Sequence, residues 1–183
     1  MANKIFALEG EWGNKLTHDE SIVPILDLMK DVSGIKYVFR KVNTIDSLLK
    51  YLNKVSLRSM DDYNFVLLAF HGYNEDQSIE LSSGEGISLK VLAKLMKGSF
   101  KGKNIHFSSC GIGADINGLK AFKKVTGAST VTGYIADVGF FESSLFDTAI
   151  IHHHFTENEQ ENLKKHMKAI MPKWFKELGY VQV

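Results

Sequence analysis

The sequence predicts an α/β fold: a three-layer α/β/α sandwich built on a mostly parallel sheet, with a small β-hairpin insertion. Three observations carry this expectation. Apolar runs of strand length recur at residues 5–8, 35–39, 65–70, 105–108 and 129–135, and a parallel strand covered on both faces reads as such a continuous run. The segments between them hold apolar residues at helical spacing, and strands alternating with helices imply crossovers that place helices on both faces of the sheet. One stretch departs from this alternation. Gln77-Ser78-Ile79-Glu80-Leu81 alternates polar and apolar, the turn-rich Ser82-Ser83-Gly84-Glu85-Gly86 follows, and Ile87-Ser88-Leu89 resumes, which reads as a hairpin.

The first strand, residues 5–8, runs into the turn-rich Glu9-Gly10-Glu11-Trp12-Gly13. Residues 21–32 set Ile22, Ile25, Leu26 and Met29 on one helix face, with Pro24 tolerated in the first turn and Gly34 just past the end. Residues 35–39 form the second strand, and Thr44 caps a helix whose Ile45, Leu48, Leu49, Leu52 and Val55 share a face. The third strand begins near Phe65 and ends at His71. Beyond the hairpin, a helix over 89–96 is closed by Gly98, and a strand over 105–108 leads to Cys110. A short helix covers 116–125, and the fifth strand, 129–135, is rich in β-branched residues. Helices are expected over 141–154 and 159–178. The terminal Tyr180-Val181-Gln182-Val183 reads as a strand or an ordered tail. No repeat, low-complexity run or linker divides the chain, so residues 1–183 are read as one domain.

Composition narrows the function classes. With 183 residues, 44% of them hydrophobic, the chain can bury about two-thirds of its unfolded surface without disulfide or metal staples. A single cysteine allows no intrachain disulfide and no cysteine-built zinc motif, and it suits a reducing compartment, so a cytoplasmic location is expected. Residues 1–8 hold too short an apolar run for a signal peptide, and no run approaches the roughly 20 residues of a membrane span. A net charge of +1 is no footprint for nucleic acid. Neither nucleic acid nor membrane is therefore expected as a partner.

Two of the strand runs stop at residues able to do chemistry. The run from Phe65 to Phe70 meets His71-Gly72, and the run from Ile105 to Phe107 leads through Ser108-Ser109 to Cys110-Gly111. Open α/β sheets place their sites outside the carboxyl ends of the strands. If these strands are parallel neighbours, the imidazole can take the thiol proton, and the thiolate is the nucleophile. A lone cysteine is more often a small core residue, and a histidine after a buried strand is often structural. The glycine beside each favours chemistry, since it lets backbone approach a substrate.

On these residues the chain resembles the caspase-like (clan CD) cysteine peptidases, and within them the CHAT and separase-like branch. The shared features are the apolar strand ending in His71-Gly72, the later strand ending in Ser108-Ser109-Cys110-Gly111, and the strand-loop from Val131 to Val138. The likeness covers roughly the middle half of the chain, to about Ile150. It departs from the caspases proper. Their Gln-Ala-Cys-x-Gly signature is absent, and His71 and Cys110 are 39 residues apart against about 50 in caspases, so aspartate specificity does not carry over. The resemblance implies a cysteine endopeptidase with a Cys110–His71 dyad, and an oxyanion hole from the backbone N–H groups of Gly72 and Cys110. It further implies no metal and no cofactor, and a protein or peptide substrate; an activating partner is compatible with it. In the separase-like branch an Asp-Val after the fifth strand lines a pocket for a basic side chain. Ala136-Asp137-Val138 matches it, although Ala136 replaces the bulky aromatic expected there. Asp137, with Glu142 as the fallback acid, is thus expected to select Arg or Lys on the acyl side of the cut.

The remaining candidates read more plainly. His106 alternates onto a sheet face and is read as structural. His152, His153 and His154 point about 100° apart along a helix and do not converge on one ion, so they read as a solvated or partly buried helix end. The lysine-rich segment 164–176, with Leu163, Met167, Ile170, Met171, Trp174 and Phe175, reads as an amphipathic helix packed on the sheet, with a membrane or partner helix as the alternative. The glycines at 82–86 and 111–113 lack the spacing of a dinucleotide fingerprint. Two rival functions stand beside the peptidase: a catalytically silent interaction module of the same fold, and a small-molecule-sensing doubly wound domain using the same cleft.

Overall fold

The structure, a computed structural model, describes residues 4–13, 20–82, 84–156 and 163–183. In chain order its elements are β1 (Lys4–Glu9), α1 (Val23–Ser33), β2 (Lys36–Lys41), α2 (Ile45–Val55), β3 (Phe65–Ala69), β4 (His71–Tyr73), β5 (Ser78–Ser82), β6 (Glu85–Ser88), α3 (Leu89–Leu95), β7 (Asn104–Ser108), α4 (Ile116–Thr126), β8 (Thr130–Tyr134), α5 (Phe140–Thr156), α6 (Leu163–Ile170), α7 (Pro172–Glu177) and β9 (Tyr180–Gln182). Six strands form the main sheet in the order β2-β1-β3-β7-β8-β9. All of its neighbours pair in parallel except β8 and β9, which are antiparallel.

Alternation along the strands sorts side chains into two apolar layers. Phe6, Leu8, Val66, Leu68, Ile105 and Phe107 face α2, α3 and α4 through Leu52, Leu92, Leu119 and Phe122. Ile5, Ala7, Phe65 and Leu67 face the opposite way, toward Leu26 and Met29 of α1 and toward Phe146, Ile150 and Met167 of α5 and α6. This is a three-layer α/β/α sandwich. Local signals agree with it. The side chain of Thr44 accepts from the Ser47 N–H in a capping box at the start of α2, and Gly34 closes α1 at a φ of 66°, where a side chain is disfavoured.

Two expectations need correction. The third strand does not run to His71: β3 ends at Ala69, and His71 opens β4, which pairs antiparallel with β5 in a separate three-stranded sheet, β4-β5-β6. The loop after β1 ends the ladder here, because the Gly10 N–H takes the Ala69 carbonyl at 3.0 Å and the Glu11 N–H takes that of Leu81 at 2.8 Å. The expected hairpin therefore gains a third strand. The helix expected over 159–178 is two helices, α6 and α7, and residues 159–162 lie outside the described residues. The break falls at Met171 (φ −132°, ψ 55°), just before Pro172, which has no N–H to continue the helix and whose ring would clash with the preceding turn. Among the described residues no helix is long and apolar enough to cross a membrane.

Candidate active site

The parallel pairing of β3 and β7 brings the two chemical residues together. The last pair in register is Ala69 with Ser108, and each chain continues two positions further, to His71 and to Cys110. Their backbones touch: a Cβ built on Gly72 would stand 2.1 Å from the Cys110 carbonyl oxygen and 3.0 Å from its amide nitrogen. Glycine at 72 is thus required by space. At Gly111 it is required by conformation, with φ at 64°. The Gly111 N–H donates to the Ala136 carbonyl at 3.1 Å and the Gly113 N–H to that of Tyr134 at 2.7 Å, so the turn after the cysteine is docked on the end of β8. From the other side, Gln77 Nε2 donates to the carbonyls of Ile112 and Asp115 at 2.7 and 2.8 Å.

The ring of His71 is oriented by a backbone group. Its Nε2 lies 3.1 Å from the Trp12 carbonyl oxygen. A carbonyl only accepts, so this contact assigns the ring proton to Nε2 and leaves the Nδ1 lone pair as the basic site. The indole of Trp12 packs edge-on against His71 at 5.2 Å between centroids, and against Phe140 at 5.3 Å. Cys110 is half-buried. Its Sγ accepts the Val138 N–H at 3.3 Å and lies 3.7 Å from the Val138 carbonyl oxygen. Imidazole and thiol line one cavity of about 180 Å³, walled also by Trp12, Phe70, Val138 and Phe140. The Ser109 hydroxyl, beside the thiol, is buried with no hydrogen-bond partner among the described residues.

The acidic residues expected to select the substrate lie elsewhere. Asp137 and Glu142 are exposed and are not part of the cavity wall. The residue turned inward is Val138, between exposed Asp137 and exposed Gly139. A desolvated carboxylate at position 137 is therefore not what the fold provides.

Three contributors escaped the sequence reading. Trp12 supplies a main-chain carbonyl, which carries no side-chain signal. Glu9, at the end of β1, is fully buried. Its Oε1 accepts the Trp12 Nε1–H at 2.9 Å and the Ile22 N–H at 2.7 Å, and its Oε2 accepts the Ser21 hydroxyl at 2.8 Å. Asp147 of α5, 1% exposed, sits beneath the cysteine strand. It accepts from His106 Nε2 at 2.6 Å, from the Ser108 hydroxyl at 2.5 Å, and from the Tyr134 hydroxyl. His106 is thus buried and paired, its Nδ1 lying 2.8 Å from the Thr132 hydroxyl. Burial first, and then the Asp147 carboxyl, push the Tyr134 hydroxyl well above its usual range, so it stays a donor.

The histidine run diverges as helix geometry requires. His152 is exposed, His153 stacks on His166 at 4.0 Å, and His154 packs on Phe65 at 4.8 Å. No group of three or more metal-binding side chains occurs among the described residues. Comparison with curated proteins returns no match. The profile of a family of unknown function, DUF6642, matches residues 2–180, and the chain belongs to that family.

Proposed function

We propose that this protein is a cytoplasmic cysteine endopeptidase of the caspase-like kind, with Cys110 as nucleophile and His71 as its base. The observation that supports this most directly is the in-register emergence of both residues into one cavity, with Nε2 of His71 committed to the Trp12 carbonyl. Nδ1 takes the Sγ proton, and the thiolate bonds to the scissile carbonyl carbon. The charge that moves onto the carbonyl oxygen is met by the backbone N–H groups of Gly72 and Cys110. The imidazolium protonates the departing amine as the C–N bond breaks. Water, deprotonated by the same imidazole, then hydrolyses the thioester and frees Cys110. No metal or cofactor is asked to act in this scheme.

A thiol-reactive peptide electrophile tests it. Cys110 is expected to be labelled, and labelling is expected to fall at least tenfold in His71→Ala, within the range general-base loss produces. Equal rates in the two proteins would remove His71 from the mechanism. A second reading, a silent interaction module, takes its support from the Val138 backbone groups that engage the thiol. Under that reading Cys110 stays unlabelled in the folded protein.

A preference for Arg or Lys on the acyl side is part of the proposal, but a weak one. Asp137 is exposed, and exposed ion pairs contribute about 0–1 kcal/mol, so the preference should not exceed about fivefold. A peptide library profiled with wild type and Asp137→Asn measures it, and a basic preference unchanged in the variant would release Asp137 from the role.

A further inference from the structure

His71 is aimed by Trp12, and Trp12 is itself held. The indole N–H of Trp12 ends on Oε1 of Glu9, while its carbonyl takes His71 Nε2. Glu9 closes β1, two strands away from Cys110 in the sheet order. Its carboxyl oxygens gather three donors from the segments on either side of residues 14–19: the indole of Trp12, the hydroxyl of Ser21 and the N–H of Ile22 at the start of α1. The backbone between Glu9 and Trp12 is fixed independently. The Gly10 N–H binds Ala69, the Glu11 N–H binds Leu81, and a Cβ at Gly10 would meet Leu81 O and the Phe70 ring at 2.8 Å. The Trp12 indole, packed edge-on against His71 and Phe140, donates its one side-chain hydrogen bond to Glu9.

We propose that Glu9 is a positioning residue for His71. It clamps the Trp12 indole and so holds the Trp12 carbonyl where it keeps the imidazole in its Nε2–H form with Nδ1 toward the cavity. The inference rests on the dyad reading for its consequence in catalysis, but not for its geometry. In metal sites the group that orients a ligating histidine is worth about 10- to 100-fold, and a clamp acting one contact further out is expected at the lower end of that range.

Glu9→Ala and Glu9→Gln separate position from bulk. The glutamine variant keeps a carbonyl oxygen for the Trp12 and Ile22 donors, and its amide N–H can donate to Ser21, so it should preserve the clamp. It also guards against a Glu9→Ala protein that fails to fold. Two readouts on the full chain decide the matter. The first is the ring-nitrogen NMR of His71, assigned with His71→Gln. The Nε2–H form is expected to dominate in wild type and Glu9→Gln and to become a mixture in Glu9→Ala or, if that variant is unfolded, in Trp12→Phe, which lacks the indole N–H. The second is a double-mutant cycle on Cys110 alkylation. Loss of the clamp is expected to slow alkylation about tenfold when His71 is present, and not at all in the His71→Ala background. An unchanged tautomer in the folded clamp variants overturns the proposal, as does an equal slowing in both backgrounds. If His71→Ala alone leaves alkylation unchanged, the dyad reading fails, and the tautomer result still decides the role of Glu9.

Discussion

Glu9 and Asp147 are two buried carboxyl groups at the same end of the sheet, and each accepts three hydrogen bonds. What they hold differs. Asp147 gathers side chains from β7 and β8 only, so it ties two paired strands to the helix that covers them. Glu9 gathers one loop indole, one hydroxyl and the first turn of α1, so it ties Trp12 to the start of that helix. The cysteine is carried on framework, and the histidine is steered by a loop. A carboxyl group of the first kind should be felt as stability, and one of the second kind as aim.

Removing the framework anchor is the harshest way to test that division. Asp147→Ala leaves His106, the Ser108 hydroxyl and the Tyr134 hydroxyl without their acceptor, and breaking a buried charged network from one side typically costs about 3–5 kcal/mol. The denaturant midpoint should fall accordingly, with the slope unchanged. A loss below about 0.5 kcal/mol, the scale of an ordinary surface change, would put Asp147 on a par with a solvated residue and end the comparison.

Gly72→Ala strikes where the two arms meet. Its Cβ would press on the Cys110 carbonyl oxygen, a backbone atom that cannot swing aside. Overpacking of this kind costs about 1–3 kcal/mol, and a displacement of about 1 Å at a reacting centre can cost about a hundredfold in rate. Labelling of Cys110 in Gly72→Ala should therefore drop far more than its melting temperature suggests. Equal labelling of variant and wild type would show that the contact has no bearing on the thiol.

The smallest expected effect comes from Glu80, opposite His71 in the β4–β5 register. The Tyr73 hydroxyl, and then the Gly84 N–H, hold its carboxyl below the ordinary value of 4.5. For a carboxyl lowered in the folded state, the stabilisation is fully present above the unfolded value and is lost as the pH falls through the folded one. The stability gap between wild type and Glu80→Gln should thus be constant above about pH 5 and close below pH 4.5. A gap that widens in acid would reverse the assignment.

The parts of the molecule that were legible in the sequence are those that repeat a simple pattern. The continuous apolar runs of β1, β3 and β7 disclosed a buried parallel sheet, and the His71-Gly72 and Cys110-Gly111 junctions marked the edge where both residues line one cavity. The strand His71–Tyr73 is too short for a period to declare itself, so its transfer to a second sheet was hidden. The break at Pro172 was readable from the missing N–H, yet the strong apolar spacing on either side overrode it. Glu9 and Asp147 look like any surface acid, because their burial depends on partners up to 13 and 41 residues away. Asp137-Val138 shows the converse, since a matching dipeptide does not determine which of its residues lines the cavity: Val138 does, and Asp137 is exposed.

The contact between Gly72 and Cys110 has a mechanical side. The small sheet and the loop before β5 meet the Cys110 turn at several places: Gly72 abuts Cys110, Asn74 abuts Gly111, and Gln77 holds Ile112 and Asp115. Any shift of β4, which bears His71, away from the turn that bears the thiol would therefore have to part these contacts first.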